Sequence, residues 1–229
     1  MKQFATWMCV GLMTLGAVSQ VRAEDKAKLD ERMTNSKNVL DEIMATPDKA
    51  IPNQILSQAQ CVVVIPAYKK GAFLVGAQYG KGVATCRTPK GWSAPVFVML
   101  TGGSFGFQIG GQSTDLVMVA TNQGGLQHML KNKFKIGGDA AASAGPVGRN
   151  AQAGTDWKLN AEFLTWSRSK GLFAGIDLDG TVLDDDQDAM RDYYGSSIPF
   201  KTVLTGGTPT PADAKSFVRT VARYFIATK

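Results

Sequence analysis

The chain has 229 residues, of which 44% are hydrophobic and 19% are charged, and its formal net charge is +6. This composition excludes a disordered chain, and the length suits a single domain with a sizeable buried core. Its 25 glycines among 229 residues are a larger share than the average of about 7%, which favours a β-rich fold with many turns and closely packed strands.

The first 23 residues predict a secretory signal peptide. Lys2 supplies a positive charge, the run "FATWMCVGLMTLGAV" is apolar, and "VRA" ends in the small residue Ala23. The apolar run is shorter than the roughly 20 residues that a membrane-spanning helix needs. We therefore expect export to the periplasm of a Gram-negative cell, either free or peripheral on a membrane, with residues 24–229 as one mature domain.

The mature domain carries a mild positive charge. Removing residues 1–23 removes Lys2 and Arg22 from the 25 basic residues and leaves 23 basic and 19 acidic residues, a net charge of +4. Such a charge permits contact with an anionic membrane surface, and it does not indicate a nucleic-acid partner.

The first half of the mature chain predicts two helices followed by strands. Residues 25–45 predict a helix because Leu29, Met33, Leu40 and Ile43 fall near one face. The segment "IPNQILSQA" predicts a second, short helix, and "CVVVIP" a buried strand. The segments "GAFLVGAQYG" and "GVATCR" are typical of two hairpin arms that turn at "YGKG".

The second half continues the strands and ends in a helix. Glycine pairs divide "GWSAPVFVMLTGGSFGFQIGGQSTDLVMVAT" into separate predicted strands, "GGLQHMLKN" predicts a short helix, and "KFKIGG" begins another strand. Strand-like alternation returns over residues 157–183, a helix follows over 184–194, and a last helix begins after Pro211. The last helix should pack on the sheet through one apolar stripe formed by Phe217, Val218, Val221, Tyr224 and Phe225. Together these elements predict a single α+β domain: a curved antiparallel sheet, barrel-like or sandwich-like, flanked by N-terminal helices and a C-terminal helix.

Two cysteines remain in the mature domain, Cys61 and Cys86. An oxidising compartment permits a disulfide between them. In a simple meander the two would be separated by two strand spacings, roughly 9–10 Å, which is too far for a disulfide. A disulfide and two buried free thiols therefore both stay open at this point.

The segment "GIDLDGTVLDDD" contains the string Asp-x-Asp-Gly-Thr. In a phosphohydrolase of the haloacid dehalogenase type, Asp177 would be the nucleophile, Asp179 the acid/base, and Mg²⁺ would lie between them. That chemistry needs a parallel sheet with later strands, whereas few residues follow and the upstream strands lack crossover helices. Asp179-Gly180 is better explained as a hairpin turn, and residues 184–188 as a solvated helix start.

Other strings of catalytic type fail on their context. "GGSFG" matches the nucleophile elbow with Ser104 at its centre, but that motif requires a strand–turn–helix and the segment alternates as a strand. His128 is the only histidine, so a histidine-based zinc site is not indicated. We expect no enzyme activity, no cofactor and no metal site.

Basic residues give the candidate site. Lys131, Lys133 and Lys135 share one face if the segment is extended, and Lys69 and Lys70 lie at a predicted turn. With Arg149 they form a possible patch for the phosphate groups of lipids, since each cation near an anionic surface contributes about 1 kcal/mol. The alternative is ordinary solubilising charge.

The segments "GGSFGFQIGGQSTD", "AGPVGR" and "SRSKGLFAG" together resemble the SYLF lipid-binding domain family. The similarity covers residues 61–175 and extends more weakly to "YYG" at 193–195. The resemblance implies a domain that binds membrane phospholipids; eukaryotic members bind phosphoinositides, and some also contact actin. In those members binding is attributed to a basic surface and an amphipathic N-terminal helix, whose counterpart here is residues 25–45.

The sequence thus favours a secreted, non-enzymatic domain that binds anionic phospholipid headgroups at a membrane surface. The main alternative is a structural envelope protein that binds a protein partner through an exposed sheet edge or a groove. The remote alternative is the Mg²⁺-dependent phosphohydrolase that would use Asp177 and Asp179.

Overall fold

Two very long strands dominate the chain. The computed structural model describes residues 10–46, 50–146, 161–169, 172–174 and 178–226. Within these ranges the helices are α1 Val10–Met44, α2 Asn53–Gln58, α3 Gln123–Leu130, α4 Gln187–Tyr194, α5 Phe200–Leu204 and α6 Lys215–Tyr224. The strands are β1 Cys61–Thr88, β2 Gly91–Trp92, β3 Val96–Ala120, β4 Lys133–Lys135, β5 Ala142–Ala144, β6 Phe163–Ser169, β7 Leu172–Ala174 and β8 Val182–Asp185.

Strands β1 and β3 form an antiparallel ribbon from Cys61↔Ala120 to Ala84↔Val96. The C-terminal half of β3 also pairs with β6, and its N-terminal half with β8, which continues to β4. The sheet was predicted to be antiparallel, but it is mixed, because β5 runs parallel to β6. The curled sheet is a half-barrel flanked by the N- and C-terminal helices, which confirms the predicted single α+β domain.

The hairpin predicted at "YGKG" is wrong. Residues 79–82 continue β1 and pair with Thr101, Leu100, Met99 and Val98. The glycines are needed there for close approach, since a Cβ on Gly82 would lie 2.1 Å from the Val64 carbonyl oxygen and one on Gly80 would lie 2.6 Å from the Ile65 side chain. The breaks predicted at the glycine pairs of residues 91–121 are also wrong, because β3 is one strand from Val96 to Ala120.

The ribbon bends back until the two ends of β1 meet. The Arg87 amide donates to the Gln60 carbonyl at 2.7 Å, and the Arg87 Nε donates to the Ala59 carbonyl at 3.0 Å. Cys61 and Cys86 form a disulfide with their Cα atoms 4.0 Å apart. The meander spacing of two strands is therefore wrong, because both cysteines belong to one strand that closes on itself.

Replacing Gly82 by alanine is expected to destabilise the domain by about 1–3 kcal/mol, because the methyl group has no room beside Val64. Gly71→Ala is the matched control in the same strand, since a Cβ there has nothing within 4 Å. Urea unfolding followed by circular dichroism measures both. Equal stabilities of the two variants would contradict the close contact between the two parts of β1.

The helices pack as their apolar stripes predict. Leu29, Met33, Leu40 and Ile43 of α1 are buried, and helix α1 packs against β1. The helix begins earlier than the predicted residue 25, at Val10. Helices α2 and α3 confirm their predictions. In the described part of the chain, no helix has the combination of length and hydropathy that a membrane span needs.

The C-terminal region confirms one helix, corrects a second and adds a third. Phe217 and Val221 of α6 are buried, as predicted. Helix α4 ends at Gly195 as predicted but begins at Gln187, because Asp184 and Asp185 belong to β8 and pair with Met99 and Val98. Helix α5 was not predicted; its five residues are too few to show a helical period.

Candidate functional site

The predicted row of three lysines is only partly a row. Lys133 and Lys135 are exposed and flank the buried Phe134 in β4, so they share one face. Lys131 is not extended: it is the C-cap of α3 with φ −81° and ψ −5°. Asn132, with φ 61°, then turns the chain into the strand. The expectation that Lys131 shares the strand face is therefore wrong, because the α3 helix extends to Leu130.

Lys133 is engaged by a neighbouring strand. Its Nζ donates to Asp184 Oδ2 at 2.5 Å, between β4 and β8. This hydrogen bond and the charge of Asp184 raise the pKa of Lys133. A lipid phosphate would have to compete with Asp184 for this lysine.

The turn predicted at Lys69 and Lys70 is wrong, because both lie within β1, opposite Ser113 and Gln112 and next to an irregularity of the ribbon between Ile65 and Tyr68. Lys69 is exposed and Lys70 is half-buried. Lys69 and Lys70 lie beside the C-terminal half of β3. Lys133 and Lys135 lie in β4, which pairs with β8, and β8 pairs with the N-terminal half of β3. Arg149 lies outside the described residues.

The predicted cations differ in how far they are neutralised. Over the described ranges, no Asp or Glu side chain forms an ion pair with Lys69, Lys70, Lys131 or Lys135, whereas Lys133 has Asp184. The structure therefore leaves four of the six predicted residues with their charge uncompensated by the described carboxylates.

A buried carboxylate, Asp186, pairs with cations from two other elements. Asp186 is 2% exposed and accepts from Arg32 of α1 at 2.9 Å and from Lys81 of β1 at 2.8 Å. Burial by itself would raise the pKa of Asp186, but the hydrogen bonds from Lys81 and Arg32 outweigh it and hold the pKa below its usual value. The sequence interpretation of a solvated helix start is wrong for Asp186, although its side chain does cap α4 by accepting from the Ala189 amide.

The family motifs contribute to a second charge network. Asp115 of "QSTD" pairs with Arg168 of "SRS" in the register of β3 and β6, and Arg168 Nη2 lies 2.8 Å from Asp115 Oδ2. Arg168 also pairs with Glu42 of α1. Asp115 Oδ1 accepts from the Ala67 amide at 3.0 Å. These motif residues hold α1 and the β1 irregularity on the sheet.

The motifs of catalytic type take structural positions. Asp177 lies outside the described residues, and Asp179-Gly180 is a turn with Gly180 at φ 82°. The turn is confirmed, but it is not a hairpin turn, because β8 pairs with β3 and β4 and not with β7. Ser104 lies inside β3 opposite Gly76, and the strand continues to Ala120 instead of turning into a helix after Ser104. Where the structure describes the chain, no three His, Cys, Asp or Glu side chains are placed to hold a metal ion.

The comparison with known proteins fits the motif pattern. The model of the Ysc84 family, described as Las17-binding protein actin regulator, matches residues 101–224, which is more than half of the chain. The chain belongs to the Ysc84 family. The SYLF resemblance is thereby confirmed, and the matched region contains the Asp115–Arg168 pair and the whole of β8 and α4.

Curated relatives of the Ysc84 family include longer proteins. The human SH3 domain-containing YSC84-like protein 1 is 34% identical over 171 residues, which are 74% of this chain and 50% of the relative. An SH3 domain-containing protein of Schizosaccharomyces pombe is 36% identical over 175 residues, which cover 75% of this chain and 40% of that one. Protein YSC84 of Saccharomyces cerevisiae is 31% identical over 176 residues, with 75% and 37% covered. The chain spans half or less of the length of these relatives.

Proposed function

We propose that this chain is a non-enzymatic domain that binds anionic phospholipid headgroups at a membrane surface. The observation that supports the proposal is the set of lysines without a described carboxylate partner: Lys69, Lys70, Lys131 and Lys135. Each lysine that lies near an anionic surface contributes about 1 kcal/mol, so these lysines support binding that weakens as salt is added. The proposed place of action is the periplasm, after removal of residues 1–23.

The proposed contact uses lysines and not the apolar face of α1. Leu29, Met33, Leu40 and Ile43 are all buried against the domain, with exposures of 0–4%. Ion pairs from Arg32 to Asp186 and from Arg168 to Glu42 hold this part of the helix on the sheet. Inserting that face into a membrane would require undocking the helix, which would expose this apolar surface to water first.

Three double variants with equal change in net charge test the proposal: Lys69→Glu/Lys70→Glu, Lys131→Glu/Lys135→Glu, and the control Lys90→Glu/Lys215→Glu. Lys90 and Lys215 are exposed and were not assigned to the patch. Co-sedimentation with phosphatidylglycerol or cardiolipin vesicles at low salt should be at least about fivefold weaker for each of the first two variants and near wild type for the control.

Two outcomes contradict the proposal in different ways. Wild-type binding to anionic vesicles no stronger than to phosphatidylcholine vesicles would remove the lipid function. Equal weakening in all three variants would keep the lipid function but assign it to net charge alone. Lys133 is left unchanged in these variants, since reversing it would also break its bond to Asp184.

A second candidate function is binding to a protein partner in the envelope. The family description, which names Las17 binding and actin regulation, supports a partner of this class. A pull-down from envelope extract that recovers one stoichiometric protein and no lipid would favour it. The phosphohydrolase alternative has less support, because Asp179 occupies a turn and the strands that the structure describes are antiparallel except for the β5–β6 pair, unlike the parallel core that phosphotransfer needs.

A further inference from the structure

A cleft of about 360 Å³ opens beside the end of β8. One wall is Asn132 and the end of α3, a second is Asp185 and the first half of α4, and the third is the segment that leads into α5 and ends with Lys201. The volume is within the range of small-molecule sites, about 300–1,000 Å³. The lining is mixed, since each wall combines polar or charged residues with apolar ones such as Leu130, Met190 and Phe200.

Asp185 differs from its neighbours in charge balance. Asp184 is paired with Lys133, Asp186 with Arg32 and Lys81, and Asp188 with Arg191. No Lys, Arg or His within the described ranges forms an ion pair with Asp185. Two of its side-chain partners are neutral amides, Asn132 and Gln187 Nε2, the latter 3.5 Å from Oδ1, and the third is the carboxyl group of Asp184. Lys133, which pairs with Asp184, acts on Asp185 only as a nearby charge.

The charge of Asp185 is therefore incompletely compensated. Burial is the largest influence on the group and raises the pKa of its carboxyl, and the adjacent Asp184 adds to the rise. Amide hydrogen bonds satisfy oxygen atoms but bring no opposite charge. A ligand with an ammonium group would supply that charge and further N–H donors.

Among the described residues, two cations line the cleft, one on the α5 wall and one on α4 itself. Lys201 of α5 lines the cleft, and no carboxylate in the described part of the chain pairs with it. Arg191 of α4 also lines the cleft and shares its guanidinium with Asp188, whose side chain is 83% exposed. A guanidinium has five N–H donors, so one partner leaves others for an anion.

We propose that this cleft binds a zwitterionic small molecule, with its ammonium group on Asp185 and its phosphate on Lys201 and Arg191. A simple anion would leave Asp185 beside a second negative charge, and a simple cation would leave Lys201 beside a second positive charge. The ligand chemistry that satisfies both walls is phosphoethanolamine, either free or as a lipid headgroup. This inference is independent of the anionic-vesicle binding proposed above, since it uses other residues.

Calorimetric titration of the full chain with phosphoethanolamine, ethanolamine and inorganic phosphate tests the zwitterion. Phosphoethanolamine should bind at least about tenfold more tightly than either half alone, because only it satisfies both walls. Asp185→Asn and Lys201→Met should each weaken its binding by about tenfold or more. Asp192→Asn on α4 and Lys215→Met on α6 are the matched controls outside the cleft and should bind as wild type.

Vesicles containing phosphatidylethanolamine then distinguish the two sources of the group. Displacement of phosphoethanolamine by these vesicles, and not by phosphatidylcholine vesicles, assigns the cleft to a lipid headgroup; no displacement assigns it to a soluble ligand. Binding of phosphoethanolamine no tighter than phosphate, or wild-type affinity in a folded Asp185→Asn variant, would overturn the proposal. Either failure leaves the lysine variants of the vesicle assay unaffected, so the two proposals fail separately.

Discussion

Replacing Asp186 by alanine is expected to lower the free energy of unfolding by about 3–5 kcal/mol, because it leaves two cations without their shared buried partner. Arg32 and Lys81 both bond to Asp186 Oδ2, and the Asp186 side chain is only 4% exposed. The same change removes the N-cap of α4, where the Asp186 side chain accepts from the Ala189 amide. One side chain thus links α1, β1 and α4.

Urea unfolding at neutral pH measures this loss. Asp188→Ala is the matched control, since it removes an aspartate two residues later whose ion pair with Arg191 is exposed and is worth at most about 1 kcal/mol. A double-mutant cycle with Arg32→Met isolates the contact: Arg32→Met should cost less in the Asp186→Ala background than in wild type. Equal costs in both backgrounds would show that Arg32 and Asp186 are not coupled.

The pH dependence of stability has a defined sign. The pKa of Asp186 is lower in the folded chain than its ordinary value of 3.8. Its contribution is therefore fully present above about pH 4 and is lost as the pH falls below that value through the folded pKa. Wild type should lose stability more steeply than Asp186→Asn in that acidic range, which acid titration of the unfolding midpoint would measure.

Elements with a local pattern could be predicted from the sequence. Helix α6 is defined by a stripe that includes Phe217 and Val221, and both are buried in the structure. The helix end at Gly195 follows from its left-handed φ of 71°. In these cases the information lies within one or two helical turns, so no knowledge of distant contacts is needed.

The long ribbon could not be predicted in the same way. Glycine has the same sequence signature in a turn and at a close contact, and Gly82 is of the second kind because the Val64 carbonyl passes beside it. Only knowledge that β1 returns to its own beginning would distinguish the two. The predicted distance between Cys61 and Cys86 was wrong for the same reason.

Which cations of the candidate site are neutralised could not be predicted from the sequence, because their partners lie in distant segments of the chain. Lys133 looks like a free surface cation in the sequence, but Asp184 reaches it from 51 residues away across β4 and β8. Arg32 and Asp186 are separated by 154 residues. The family motifs were the one sequence signal for such a charge pair. Asp115 and Arg168 belong to two of the motif segments, and they pair in the sheet.

Removing the disulfide with Cys61→Ala/Cys86→Ala is expected to lower the free energy of unfolding by roughly 3–4 kcal/mol. The bridge joins residues 25 apart in sequence, and a loop of this length restricts the unfolded chain by about that amount. In the folded state the ends of β1 stay together without it, because Arg87 bonds to the Gln60 and Ala59 carbonyls. The loss should therefore fall on stability, while the circular dichroism spectrum of the folded state stays unchanged.

Urea unfolding of wild type with and without reductant separates the bridge from the packing of its atoms. Reduction keeps both sulfur atoms, whereas alanine removes them from positions that are 0% exposed and adds a cavity cost. Reduced wild type should therefore lie between the oxidised protein and the double variant, and the double variant should not respond to reductant. If oxidised and reduced wild type unfold at the same urea concentration, the hydrogen bonds of Arg87 close β1 by themselves and the bridge adds no stability.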